Sequence, residues 1–206
     1  MENPDAQPPQ TCCPIVELRQ YTLHPGKRDV LIDLFDREFV ESQEALGMKI
    51  IGQFRDLDNP NRFVWLRGFS DMPSRAQALK DFYGGPVWKA HREAANATMI
   101  DSDNVLLLHP ATPTSAFAFG NKKRPRAGAN EARSELIVAT IYYLEAPVDA
   151  GFVEFFGGLG GLFERLTQAG EGAPQGRSAM RLVACRPQKL DDLAPVAPTT
   201  LGGEVG

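Results

Sequence analysis

Ile15-Val16-Glu17-Leu18-Arg19-Gln20-Tyr21-Thr22-Leu23, followed by His24-Pro25-Gly26, is the stretch on which the fold turns. Val16, Leu18 and then Gln20 fall on one side, and Glu17, Arg19 and Tyr21 on the other. That period of two marks a strand with one apolar and one mixed face. The Pro-Gly pair turns the chain. Val30, Leu31, Leu34, Phe35 and Phe39 then recur at helical spacing, which predicts an amphipathic helix over 27–46, stopped by Gly47.

A helix with one apolar stripe needs a sheet to lie on. Met48–Leu57 and Arg62–Phe69 read as two strands, joined as a hairpin by the turn-forming Asp58-Asn59-Pro60-Asn61. Helical pattern returns at Ser74–Tyr83 and, past the Gly84-Gly85-Pro86 break, at Val87–Met99. Asn104–His109 supplies a fourth strand, whose run Val105-Leu106-Leu107-Leu108 suits cover on both faces. The order β-α-β-β-α-β over residues 15–110 is the ferredoxin-like split unit.

Outside this unit the organisation is looser. Residues 1–14 are polar and proline-rich and read as a flexible, disordered tail, and 111–133 read as an exposed linker. From residue 134 the opening pattern restarts: a strand at Leu136–Leu144, a turn at Ala146-Pro147, a helical stripe from Phe152 through Phe163 to Leu166, and a strand at Ala179–Cys185. Tyr143-Leu144-x-x-Pro147 loosely repeats Tyr21-x-Leu23-x-Pro25. Residues 134–185 therefore read as a partial second unit, and 186–206, rich in Pro and Gly, as an irregular tail. The expected fold class is α+β, with tandem ferredoxin-like units of which the second is incomplete. Gly157, Gly158, Gly160 and Gly161 weaken the second helix, each by up to about 1 kcal/mol against alanine.

The totals narrow the function classes. A chain of 206 residues with 43% hydrophobic and 23% charged residues is globular rather than unfolded. Its net charge of −4 gives no general attraction to nucleic acid or anionic lipid. The basic run Lys122-Lys123-Arg124-Pro125-Arg126 reads as a solvated loop. No apolar run reaches the roughly 20 residues that cross a bilayer, and the first residues lack a secretory pattern, so no membrane insertion and a cytoplasmic location are expected. Cys12, Cys13 and Cys185 form no Cys-x-x-Cys and no disulfide framework. No phosphate loop, dinucleotide fingerprint or zinc motif occurs, so neither metal nor cofactor is expected.

The chemistry-bearing residues cluster by register. Glu17, Arg19 and Tyr21 share one face of the first strand, and Phe63, Trp65, Arg67 and Phe69 share one face of the third. If both sets look away from the helices they line one cavity, suited to a small aromatic or anionic molecule. Equally, Glu17 with an arginine reads as a cross-strand pair that pins the sheet. His91, beside Trp88, is an acid or base by residue type, or a brace between helix and core. His24 and His109 have weaker claims.

Glu17-Leu18-Arg19-x-Tyr21-Thr22-Leu23-x-Pro25-Gly26, with Phe82-Tyr83-x-x-Pro86-x-Trp88-x-x-His91, resembles the NIPSNAP family. The resemblance implies a dimeric α/β-barrel fold, within a superfamily that also holds haem-modifying enzymes and cofactor-free monooxygenases acting on quinols and polyketides. The family itself has no agreed reaction, and its mitochondrial members are linked to organelle quality control through partner binding. One hypothesis is thus a barrel whose pocket is lined by Glu17, Arg19, Tyr21, Trp65, Arg67 and Trp88. In its enzymatic version His91 or Glu17 acts as base in cofactor-free monooxygenase chemistry on a quinol or aromatic substrate. The alternative is a non-enzymatic interaction or self-association module, in which the unpaired edges of an incomplete sheet make a homo-oligomer.

Overall fold

The computed structural model describes residues 11–118, 136–144, 149–157, 162–165 and 177–185. In chain order the elements are β1 (Thr11–Cys12), β2 (Ile15–Leu23), α1 (Arg28–Leu34), a π-helical turn (Phe35–Phe39), α2 (Val40–Glu44), β3 (Lys49–Arg55), β4 (Arg62–Phe69), α3 (Met72–Gly84) and α4 (Pro86–Asn96). They continue with β5 (Met99–Asp101), β6 (Val105–Pro110), a 3₁₀ turn (Pro113–Ser115), β7 (Phe117–Ala118), β8 (Leu136–Leu144), α5 (Ala150–Gly157), β9 (Leu162–Arg165) and β10 (Arg177–Cys185). The main sheet is antiparallel in the order β3-β4-β2-β6-β9-β10-β8, with β5 also on β2. Its first four strands follow the ferredoxin-like order, with β2 and β4 central.

Local chemistry explains the joints. Lys27 N–H donates to His24 O at 3.0 Å across Pro25 and Gly26, and Gly26 sits at φ +73°, where the second central residue of a type II turn must lie. Gly47, at φ +85°, ends α2, and Met48 N–H folds back to Gln43 O at 3.3 Å. Asp71 caps α3 by accepting from Ser74 N–H at 2.6 Å, with Pro73 in the first turn. Within the long helix the Val40 N–H reaches back five residues to Phe35 O, making the π turn.

The helices cover one face of the sheet. Tyr21, Leu23, Phe63, Trp65 and Phe69 pack there against Leu31, Phe35, Phe39, Phe82 and Ala95. The opposite face carries Val16, Leu18, Leu66, Leu106 and Leu108, with Phe117 and Ile141 packed on them, so β8 contributes cover to a face that β2 and β4 present. The register sets Glu17 opposite Arg67, Arg19 opposite Trp65 and Tyr21 opposite Phe63. The Glu17, Arg19, Tyr21 face therefore looks toward the helices, the reverse of the expected direction. Mutual pairing of the charges removes the reason to keep that face in water.

Three further differences have local causes. Leu162–Arg165, read as the end of a helix, is a strand between β6 and β10, and the sequence just ahead of it carries Gly157, Gly158, Gly160 and Gly161, a residue type that disfavours helix. Met99 leaves the helix as well: Thr98, buried, donates its hydroxyl to Ala95 O at 2.6 Å, and Met99–Asp101 pairs with β2 as β5. Thr11–Cys12, read as tail, pairs with Phe117–Ala118, read as linker. The sulfurs of the neighbours Cys12 and Cys13 abut and close no loop of the fold. The expected tail at 1–10, linker at 119–133, turn at 146–147, end of the helical stripe at 166 and irregular tail at 186–206 lie outside the described residues. No helix among the described residues is long and apolar enough to cross a membrane.

Candidate functional site

Beneath α1–α2 and α3–α4 the sheet presents a buried carboxylate. Glu17 is fully buried, and its Oε2 accepts from Arg19 Nη1 and Arg67 Nε, both at 2.8 Å. Its Oε1 accepts from Arg75 at 2.7 Å from Nε and 2.6 Å from Nη2. Three guanidinium charges against one carboxylate leave an excess of two positive charges in this part of the core. Burial alone would push the Glu17 pKa up, but Arg67, Arg19 and Arg75 together outweigh it and hold the carboxyl at about 2, against an ordinary 4.5.

Aromatic rings take up the rest of the guanidinium surface. Arg19 lies 5.5 Å from the ring centroids of both Tyr21 and Trp65, and Arg67 lies 5.1 Å from Trp65 and 5.6 Å from Phe69. Arg19 Nε also donates to the Tyr21 hydroxyl oxygen at 2.9 Å. Burial pushes the Tyr21 phenol up, against the opposing pull of Arg19, so it stays neutral at neutral pH.

Next to this cluster is a small, partly open cavity with about 30 Å³ of water-accessible space, or about 350 Å³ when all empty space out into the open mouth is counted. Tyr21, Trp65 and Arg67 form its sheet side, while Phe35, Phe39 and Gln43 come from the α1–α2 arm and Phe82, Tyr83, Trp88 and Ala95 from α3 and α4. The ring contacts are mostly edge-to-face, Phe35 on Trp65 at 4.7 Å and Phe39 on Phe82 at 5.8 Å, the arrangement that ring quadrupoles favour. Gln43, buried, ties the two regions together: its Nε2 donates to Phe39 O at 3.0 Å and its Oε1 accepts from Arg67 Nη1 at 2.8 Å. Two donors of these residues, Trp65 Nε1 and Arg67 Nη2, are buried with no accessible surface and have no hydrogen-bond partner among the described residues.

Of the residues singled out in the sequence, Tyr21, Trp65, Arg67 and Trp88 thus border the cavity, and Glu17 and Arg19 form the charged layer beside it. His91 lies apart from the lining. It is about one-third exposed, with Nε2 3.4 Å from Glu38 Oε2 and its ring edge-on to Phe39 at 6.3 Å. Phe35, Phe39, Gln43 and Phe82 had no functional reading in the sequence. One signal was present: Phe35, Phe39 and Gln43 repeat at four-residue spacing, which sets a polar amide on the buried stripe. Among the described residues no group of His, Cys, Asp and Glu side chains could hold a metal ion.

A sequence profile of the NIPSNAP family matches residues 16–115, the stretch that contains both the charged layer and the cavity. The domain at 16–115 is a NIPSNAP domain. Solved structures similar to the chain include a NIPSNAP domain protein from Burkholderia xenovorans, 19% identical, covering 48% of this chain and 95% of its own, with a TM-score of 0.44. A NIPSNAP family protein of unknown function from Agrobacterium tumefaciens is 20% identical, covering 50% of this chain and 93% of its own, with a TM-score of 0.46. An antibiotic biosynthesis monooxygenase is 24% identical, covering 45% of this chain and 94% of its own, with a TM-score of 0.36. No curated protein matches the sequence.

Proposed function

We propose that the NIPSNAP domain binds a small aromatic molecule in the cavity between its helices and its sheet. The observation that carries this reading is the lining itself, a partly open space walled by seven aromatic side chains, those of Tyr21, Phe35, Phe39, Trp65, Phe82, Tyr83 and Trp88. Apolar, mostly aromatic walls with a few fixed polar groups are what small-molecule sites are made of. Binding is better supported than cofactor-free oxygen chemistry. Glu17, locked as an anion by three arginines, is a weak base at neutral pH, and His91 lies outside the lining.

Both tryptophans of the chain, Trp65 and Trp88, border the cavity, so intrinsic fluorescence reports its occupancy. Titration with single-ring aromatics is expected to give a saturable change in emission, and Ala95→Leu, which adds methyl groups to the lining, is expected to abolish it while the fold persists. No saturable change with any such compound ends the reading.

The second reading is self-association. In the strand order β3 and β8 stand at the two ends among the described residues, and unpaired edges are templates for pairing with another chain. Sedimentation at high protein concentration is expected to show a homo-oligomer under this reading; a strictly monomeric species ends it.

A further inference from the structure

We infer that Cys12 and Cys13 form a redox-active vicinal pair, a site of thiol–disulfide exchange whose state sets how firmly β1 and β7 cover the apolar face of the sheet. Along an extended strand successive side chains point to opposite sides, so neighbouring cysteines do not ordinarily meet. Here the backbone breaks that alternation. Cys13 has φ +71° and is the one non-glycine residue with a positive φ among the described residues. Both side chains pack on the same apolar cluster, with Val16, Leu18, Leu66, Leu106 and Leu108, and their sulfurs abut.

The surroundings are fitted to the pair. Gly68 of β4 lies against Cys13: a Cβ there would meet Cys13 Sγ and Cβ, and would stand 3.3 Å from Ile51 Cδ1. Gly68 is thus the gap that receives the Cys13 side chain. Cys12 is held through its strand, since Thr11 and Cys12 pair with Ala118 and Phe117, and Phe117 packs on the same apolar cluster. A disulfide between neighbours encloses a single peptide bond, so it removes almost no freedom from the unfolded chain and is no stability staple. What it changes is local. Bonded sulfurs stand about 2 Å apart, whereas free thiols need a contact distance of roughly 3.5–4 Å. With Cys13 seated against Gly68, the separation falls on Cys12, and through β1 on the pairing with Phe117 and Ala118.

The chemistry enters at Cys12, which is half-buried, while Cys13 is buried. With a low-molecular-weight disulfide as oxidant, the Cys12 thiolate attacks one sulfur of the reagent and releases half of it as a thiol. The Cys13 thiolate then attacks Cys12 Sγ, the bond to the reagent breaks, and the second half leaves as a thiol. The protein gives up two electrons, the reagent takes them, and both cysteine protons end on the released thiols. A dithiol reductant runs the steps backward and ends as its own cyclic disulfide.

The test exposes the full-length protein to oxidised glutathione or to dithiothreitol at neutral pH. Free thiols are then blocked with iodoacetamide in denaturant and the peptides mapped by mass spectrometry. After oxidation the peptide holding Cys12 and Cys13 is expected to carry no alkyl group and to be lighter by two hydrogens than its dithiol form. After dithiothreitol it is expected to carry an alkyl group on each cysteine, with Cys185 alkylated in both samples. Hydrogen exchange of 113–118 in the folded protein is expected to be about tenfold faster in the reduced state. Cys12→Ser cannot close the ring and is expected to exchange at the reduced rate in both buffers, with its fold checked by circular dichroism. Alkylation of both cysteines after oxidation, glutathione retained on either, or a bond to Cys185 or to a second chain overturns the inference. Equal exchange of 113–118 in the two states overturns it as well.

Discussion

Glu17→Gln is expected to destabilise the domain by roughly 3–5 kcal/mol, because it leaves Arg19, Arg67 and Arg75 facing one another in the core without a counter-charge. The same residue sets the acid limit of the wild type. Its pKa is about 2 in the folded protein against an ordinary 4.5, so the unfolded chain binds the proton first. The stabilisation is complete above about pH 4.5 and is lost as pH falls from there toward 2. Over that window the contribution is on the order of 3 kcal/mol. Urea unfolding at pH 7 and in steps below pH 5 is expected to show a falling midpoint in wild type and a much flatter profile in the glutamine variant. Equal stability of the two proteins at pH 7 would mean that the carboxylate does not hold the arginines together.

Phe39→Ala is the second large effect, with an expected loss of about 3–5 kcal/mol. Phe39 is 3% exposed and touches rings on three elements: Phe35 at 6.1 Å, Phe82 at 5.8 Å and Trp88 at 5.6 Å. It joins the α1–α2 arm to α3 and α4 while bordering the cavity, so its removal both unpacks the helices and widens the site. Phe39→Leu keeps much of the volume and is expected to cost less than half as much. Chemical denaturation of both variants measures this. A loss below about 1 kcal/mol for alanine would mean that the helices close over the sheet without this ring.

Much of the domain was legible in the chain because its signals are local. The alternation across Ile15–Leu23 placed Glu17, Arg19 and Tyr21 on one face, and Pro25-Gly26 specified its own turn. What the alternation could not decide was which face the helices cover. Both faces of β2 carry apolar residues, Val16 and Leu18 on one and Tyr21 and Leu23 on the other, so the charged face looked like the outer one. The deciding partners, Arg67 and Arg75, are 50 and 58 residues from Glu17, and no local pattern announces a carboxylate shared among three arginines.

The cavity was legible only in part for the same reason. Trp65 and Arg67 came from strand register, but Phe35 and Phe39 read as ordinary core residues until the π turn and Gln43 brought them beside Arg67. In the second half the stripe from Phe152 to Leu166 has helical spacing, yet strand pairing of Leu162–Arg165 with β6 and β10 prevails, since long-range hydrogen bonds outweigh a pattern interrupted by glycine.

The central claim is that an aromatic ligand occupies the space between Trp65, Phe39 and Trp88. A crystal structure of the protein grown with a small aromatic compound tests it most directly. The predicted result is a ring in that cavity, packed against Trp65, Phe39 and Trp88. A cavity filled by ordered water alone would contradict it.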